Sequence, residues 1–155
     1  MLSGIPPADA ARLHALPYVA DATGIEQLEG GITNRNYRLS RPAGDLVVRL
    51  SDAGSSDLAI DRDNEHLATL AAASAGAGPE VFDYRRGEGI LVVRWIEGRT
   101  LTPDDVGTPE NLPRIAAACR TLHGGPPFAS RFNMFDLQSR YLALVRERGY
   151  RLPAR

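Results

Sequence analysis

GGITNRNYRLSRPAGDLVVRL, residues 30–50, decides how the chain folds. Asn34–Ser40 and Leu46–Leu50 are short runs rich in strand-forming residues, and the Arg41-Pro-Ala-Gly-Asp45 stretch between them has the composition of a tight turn. Upstream, Ile25–Glu29 is a third such run, joined to the second through GGIT at 30–33. Three short runs separated by two Gly-containing turns predict an antiparallel meander.

Working outward, Asp52–Ser56 is turn-like, and a long helix is expected from about Asp57 to Ala75, capped by Ser56 and stopped by Gly76-Ala-Gly-Pro79. Glu80–Tyr84 and Gly89–Ile96 then flank the turn Arg85–Glu88 as a second hairpin. The strand GILVVRWI is nearly continuous apolar, which predicts a central position covered on both faces. Ahead of the meander, Pro6–Leu16 reads as a short packing helix closed by Pro17. After Glu97-Gly98 the pattern turns helical: a turn at Thr102–Val106, a helix Pro109–His123 with Thr108 as its cap, and a helix from about Asp136 to Arg148. The expected class is α+β, with a five-stranded antiparallel sheet and one long inserted helix in residues 1–96. The first helices of a second, incomplete unit follow in 97–155.

The chain has 155 residues and 43% hydrophobic composition, enough for about one domain with a real core. A net charge of −1 gives no field that would recruit nucleic acid or an anionic membrane, so neither is expected as a partner. No apolar stretch reaches the ~20 residues of a membrane span, and Met1–Ala11 lacks a signal-peptide pattern. The single cysteine, Cys119, cannot close an intrachain disulfide and is expected as a small core residue, which suits a reducing, cytoplasmic setting. All 18 basic residues are Arg, so any role that other proteins give to Lys falls on Arg here.

Three features carry chemistry. The glycines and polar residues of GGITNRN (30–36) suit either a hairpin turn or a cradle whose backbone N–H groups and side chains face an anion. Arg49 interrupts the apolar run LVVRL, and a charge on a half-buried strand wants a carboxylate or a phosphate. Glu65 on the following helix is the candidate partner. On a helical wheel Ile60, Leu67, Leu70 and Ala71 share one face and Glu65 shares the other with Leu58, Ala68, Thr69 and Ala72, so Glu65 is either solvated or turned inward among small residues. The junction Arg94-Trp95-Ile96 is either a plain linker or a backbone edge able to hold a purine. Asp61 and Asp63 read as capping or solvated carboxylates, His123 as a helix-end contact, and Trp95 as a packing residue.

In this order, GGITNRNYRL (30–39), LVVRL (46–50), IDRDNEHLATL (60–70), GPEVFDY (78–84), LVVRWIEGRTLTPDDV (91–106) and the end of RIAAACRTLH (114–123) resemble the N-terminal half of the choline/ethanolamine kinase family. That family lies within the aminoglycoside-phosphotransferase-like group of protein-kinase-like folds. The tail FDLQSRYLALVRERGYRLPAR (135–155) also resembles its bacterial branch. The resemblance implies a protein-kinase-like N-terminal lobe. Gly30, Gly31, Thr33, Asn34, Arg35 and Asn36 would form the nucleotide-phosphate loop. Arg49 would be the strand cation on the phosphates and Glu65 the acid that orients it, with Arg94, Trp95 and Ile96 as the hinge beside adenine. It further implies ATP and a small alcohol as substrates, with Mg²⁺ neutralising charge.

The family's H-x-D-x-x-x-x-N loop is not in this stretch: His14, His66 and His123 are each without an Asp two positions on. The expectation is therefore a truncated kinase, inactive alone, whose metal ligands lie outside the chain. An aminoglycoside or thiamine kinase relative, and a non-catalytic kinase-lobe binding module, are the alternatives. Leu112, Ile115, Leu122, Leu137, Leu142, Leu144 and Val145 would pack on later helices in an intact fold, so self-association of the isolated chain is expected.

Overall fold

The computed structural model describes residues 4–29, 34–51, 61–130 and 133–151. Helix α1 (Pro7–His14) and a 3-10 turn (Pro17–Val19) precede strands β1 (Gly24–Leu28), β2 (Asn34–Ser40) and β3 (Leu46–Ser51). Helix α2 (Arg62–Ser74), strands β4 (Val81–Arg85) and β5 (Ile90–Arg94), and helices α3 (Pro103–Val106), α4 (Asn111–His123) and α5 (Met134–Glu147) follow. The five strands form one sheet in the order β1-β2-β3-β5-β4, every pair antiparallel. The meander and the second hairpin are as the sequence predicts. Gly44 shows why the first turn works: its φ of 98° is open to glycine at little cost, and its N–H closes the turn on the Arg41 carbonyl at 3.1 Å.

Alternation sorts the strands into two faces. Tyr37 and Leu39 of β2, Leu46, Val48 and Leu50 of β3, and Ile90 and Val92 of β5 meet Leu13, Leu16 and Val19 from the N-terminal segment in one buried core. Each fully buried aliphatic side chain there contributes about 1.5–3 kcal/mol. Leu91 is buried as well, on the opposite face, so β5 is central and covered on both sides over this stretch.

The short helix closes earlier than Leu16, and Pro17 starts the 3-10 turn. Helix α2 begins at Arg62 and not at Asp57, because Asp61 takes an extended backbone and its side chain accepts the N–H of Asn64 at 3.1 Å. The expected cap Ser56 lies outside the described residues. Thr108 does not cap α4: its hydroxyl donates to the Asp105 carbonyl at 3.0 Å, and the helix starts three residues on with Glu110 before it. Asn133 caps α5, which moves its start to Met134. Cys119 is exposed, contrary to expectation. It shares a helical stripe with the half-buried Ile115 and Leu122, but no described element covers it. The helices after β5 leave Leu112, Met134, Phe135 and Leu142 exposed, while Ile115, Leu122, Leu137, Leu144 and Val145 are half-buried. Among the described residues no helix is long and apolar enough to cross a membrane.

Candidate functional site

Opposite the core, the second face of the sheet carries Asn34, Asn36 and Arg38 of β2 and Val47, Arg49 and Ser51 of β3, since Asn34 pairs with Ser51, Asn36 with Arg49 and Arg38 with Val47 in register. Leu91 and Val93 of β5 continue it through their pairing with Arg49 and Val47.

Helix α2 lies over one side of this face, and its sequence explains how it can approach so closely. Glu65, Ala68, Thr69 and Ala72 are half-buried toward the sheet, whereas Leu67 and Leu70 are 47% and 42% exposed. Leu67 and Leu70 thus point outward and small residues sit on the inward side, while Ala72 also lies against Gly78 of the loop that follows the helix. The first turn is pinned to the second hairpin: the Tyr84 hydroxyl donates to Asp63 at 2.7 Å, Arg86 donates to the same carboxylate at 2.6 Å, and His66 stacks on the Tyr84 ring with centroids 4.1 Å apart. These bonds, Tyr84 first, hold the Asp63 carboxyl below the ordinary carboxylate range, while burial first and then Asp63 push the Tyr84 phenol up to about 12.

So held, α2 delivers Glu65 to Arg49, whose Nη1 donates to Oε1 of the carboxylate. The other oxygen, Oε2, accepts from Nη1 of Arg62 at 2.7 Å. Glu65 is therefore shared by two guanidiniums, an arrangement the sequence hinted at only through the i, i+3 spacing of Arg62 and Glu65. Beside them, Ser51 Oγ donates to Asn34 Oδ1 at 3.0 Å and fixes the end of β2 against β3.

The far end of the face is a second cluster. The Arg38 guanidinium lies 4.2 Å from the centroid of the Trp95 ring and donates through Nε to Asp45 at 2.8 Å. Asp45 also accepts the Arg41 backbone N–H at 3.1 Å, and these two bonds, the backbone one first, depress its carboxyl. Trp95 packs as expected, against a cation. Arg38 was legible in principle, since it alternates with Asn34 and Asn36 along β2.

The expected site residues divide as follows. Asn34, Asn36, Arg49 and Glu65 come together on one face. Gly30, Gly31 and Thr33 lie outside the described residues. Arg35 is on the opposite face, where its guanidinium is paired with buried Asp9, so its side chain holds α1 and does not join Arg49. At the hinge the N–H of Arg94 donates to the Glu80 carbonyl at 2.9 Å and that of Trp95 to the Asp45 carbonyl at 3.0 Å, because the ladder continues one residue past β5. Among the described residues those two donors are committed, and the N–H of Ile96 is the hinge donor without a partner. The Arg94 side chain lies over Phe82 at 5.2 Å from its ring centroid, away from this face.

A family model described as the phosphotransferase enzyme family matches residues 24–154. The chain belongs to that family. Among solved structures it is similar to a choline/ethanolamine kinase family protein from Mesorhizobium loti, at 35% identity and a TM-score of 0.71, over 96% of this chain and 48% of that one. It is also similar in fold to choline kinase LicA from Streptococcus pneumoniae, at 21% identity and a TM-score of 0.74, over 90% of this chain and 49% of that one. The chain thus spans about half the length of each. No curated protein sequence gives a match. The five-stranded antiparallel sheet with its helices is the kinase-like N-terminal lobe of these relatives.

Proposed function

We propose that this part of the protein grips ATP for a small-molecule kinase that moves the γ-phosphoryl group to the hydroxyl of choline or a similar amino alcohol. The Arg49–Glu65 pair carries the reading: a strand cation in a Lys-free chain, held by an acid from a different element, on the face that also presents Asn34 and Asn36. Phosphoryl transfer relies on positioning and electrostatic stabilisation, and Glu65 fixes the direction in which Arg49 offers its remaining donors to phosphate oxygens. Val47 and Val93 line the sheet between this pair and the hinge and would give a half-buried apolar floor for a purine, to whose edge the N–H of Ile96 would donate. The choice of an amino alcohol rests on the likeness to the Mesorhizobium loti protein.

Among the described residues no group of three or more His, Cys, Asp or Glu could hold a metal ion, so these residues alone do not fit Mg²⁺. No His-x-Asp pair supplies a base in the sequence either. The function proposed for these residues is nucleotide grip.

The test is calorimetric titration of a non-hydrolysable ATP analogue into the wild type and Arg49→Gln, with adenosine as control. Loss of one charge-assisted contact should weaken the analogue by about tenfold or more and leave adenosine unchanged. Equal affinity in both proteins overturns the reading.

A further inference from the structure

Ser51 ends β3, and its N–H, carbonyl and hydroxyl are all engaged. The N–H donates to the Gly89 carbonyl at 2.9 Å, the carbonyl accepts from Arg12 Nη1 at 3.1 Å, and the hydroxyl donates to Asn34 Oδ1 at 3.0 Å. Arg12 comes from α1, and its Nη2 also donates to the carbonyls of Glu88 at 2.5 Å and Gly89 at 3.3 Å. One guanidinium therefore ties the end of β3 to the turn between β4 and β5. Gly89 is fitted to this clasp: its φ is 65°, and a Cβ there would lie 3.0 Å from the Ser51 carbonyl oxygen.

The clasp decides which end of the Asn34 amide meets a ligand. Ser51 is 7% exposed, so its hydroxyl proton needs an acceptor inside the protein. Among the described residues that acceptor is Asn34 Oδ1, and with the amide turned over Nδ2 would face the hydroxyl and strand its proton. Asn34 is half-buried on the face that carries Arg49, so with Oδ1 held at Ser51 the amide offers its donor end to an incoming group. An anion needs that donor, whereas an unheld amide presents its oxygen as readily.

We propose that Ser51 is a positioning residue for phosphate: anchored by Arg12, its hydroxyl turns the Asn34 amide so that Nδ2 donates to a phosphate oxygen of the nucleotide. This rests on the nucleotide-binding reading given above and extends it to two residues, Ser51 and Arg12, that lie outside the glycine-containing motif.

The experiment titrates metal-free pyrophosphate, ADP and adenosine into the wild type, Ser51→Ala, Asn34→Ala, the double variant and Asn34→Asp, with circular dichroism to confirm that each is folded. Ser51→Ala should weaken pyrophosphate and ADP about fivefold and leave adenosine unchanged. In the Asn34→Ala background the same change should cost less than about twofold, because no amide is left to turn, whereas a merely structural loss would persist there. Asn34→Asp sets a carboxylate oxygen where Nδ2 donates and should bind pyrophosphate more weakly than Asn34→Ala. Arg12→Met should weaken pyrophosphate in the wild type but not in Ser51→Ala, while lowering the melting temperature of both. If ADP binds and Ser51→Ala changes it less than about twofold, or weakens adenosine equally, the positioning role is overturned and the nucleotide reading survives. If pyrophosphate follows the expected pattern but ADP binds no tighter, the positioning role stands and the nucleotide reading fails. A wild type that binds neither pyrophosphate nor ADP overturns both. Should Ser51→Ala not fold, Asn34→Asp against Asn34→Ala decides alone, and equal or tighter pyrophosphate binding by Asn34→Asp overturns the proposal.

Discussion

Replacing Asp9 by Ala tests how the N-terminal helix is locked to the sheet. Asp9 is 1% exposed and accepts three donors from β2: the Tyr37 hydroxyl at 2.6 Å, Arg35 Nη2 at 2.9 Å, and Arg35 Nε. Tyr37 has no exposed surface, so without the carboxylate its hydroxyl is left dry and unpaired, at about 1–3 kcal/mol. Arg35 is 33% exposed and can turn toward water, so its lost pair counts for only about 1 kcal/mol. Together these give about 3 kcal/mol, which for a chain of this size lowers the melting temperature by about 6–12 °C. Urea unfolding followed by far-ultraviolet circular dichroism measures it. The decisive arm is the double-mutant cycle: in a Tyr37→Phe background no hydroxyl is stranded, and Asp9→Ala should cost about 1 kcal/mol. A single-mutant cost below about 1 kcal/mol, or no coupling to Tyr37, refutes the reasoning.

The same site sets an acid dependence. Hydrogen bonding from Arg35 is the largest influence on the Asp9 carboxyl and, with Tyr37, outweighs burial, so the folded protein holds it below the ordinary value. Unfolded, it titrates near 3.9. Below that pH the unfolded chain binds more protons than the folded one, and stability falls as pH drops through the depressed folded value. The stability advantage of the wild type over Asp9→Asn should be constant above about pH 5 and shrink below about pH 4.

Three further outcomes are expected. Gly125→Ala should destabilise by about 1–3 kcal/mol in thermal melts, because its Cβ would lie 2.5 Å from the Ala75 Cβ where α4 and α2 end against each other. Ile96→Pro removes the hinge donor and should weaken adenosine binding about fivefold, whereas Ile96→Ala should not. Tyr37 and Tyr84 are both pushed up to about 12, mainly by burial, against about 10 in the unfolded chain. Stability should therefore hold up to about pH 10 and fall as pH rises toward 12, with Tyr84→Phe removing part of that loss in ultraviolet phenolate titrations.

What the sequence showed and what it hid follow from the range of the interactions. The meander, the second hairpin and the central β5 are legible because strand periodicity and turn composition are local. Arg49 is legible because a charge inside LVVRL needs a reason. The start of α2 is not, since Ser56 and Asp61 are both good caps ahead of a helical pattern and only the extended backbone at Asp61 decides between them. Arg35 reads as part of the loop because the partner that removes it, Asp9, lies 26 residues away in the chain. The exposure of Cys119 depends on what lies over α4, which no local pattern encodes. The commitment of the N–H groups at 94 and 95 is hidden for a similar reason: their acceptors, Glu80 and Asp45, lie far off in the chain, each just ahead of a neighbouring strand.

Strand β2 does two jobs by parity. Its odd residues Arg35, Tyr37 and Leu39 turn to the core face and anchor α1, while Asn34, Asn36 and Arg38 turn to the face that carries Arg49. A slip of one residue would exchange the sets, sending Tyr37 to the open face and two asparagines into the core. The register is secured at both ends: Gly44 fixes the turn into β3, and Asp9 gathers Arg35 and Tyr37 from the side. The Asp9 network thus sits on the face remote from Arg49, yet the register that sets Asn36 opposite Arg49 is held partly by it. Loosening it should weaken phosphate binding as well as stability, although Asp9 touches neither Arg49 nor Glu65.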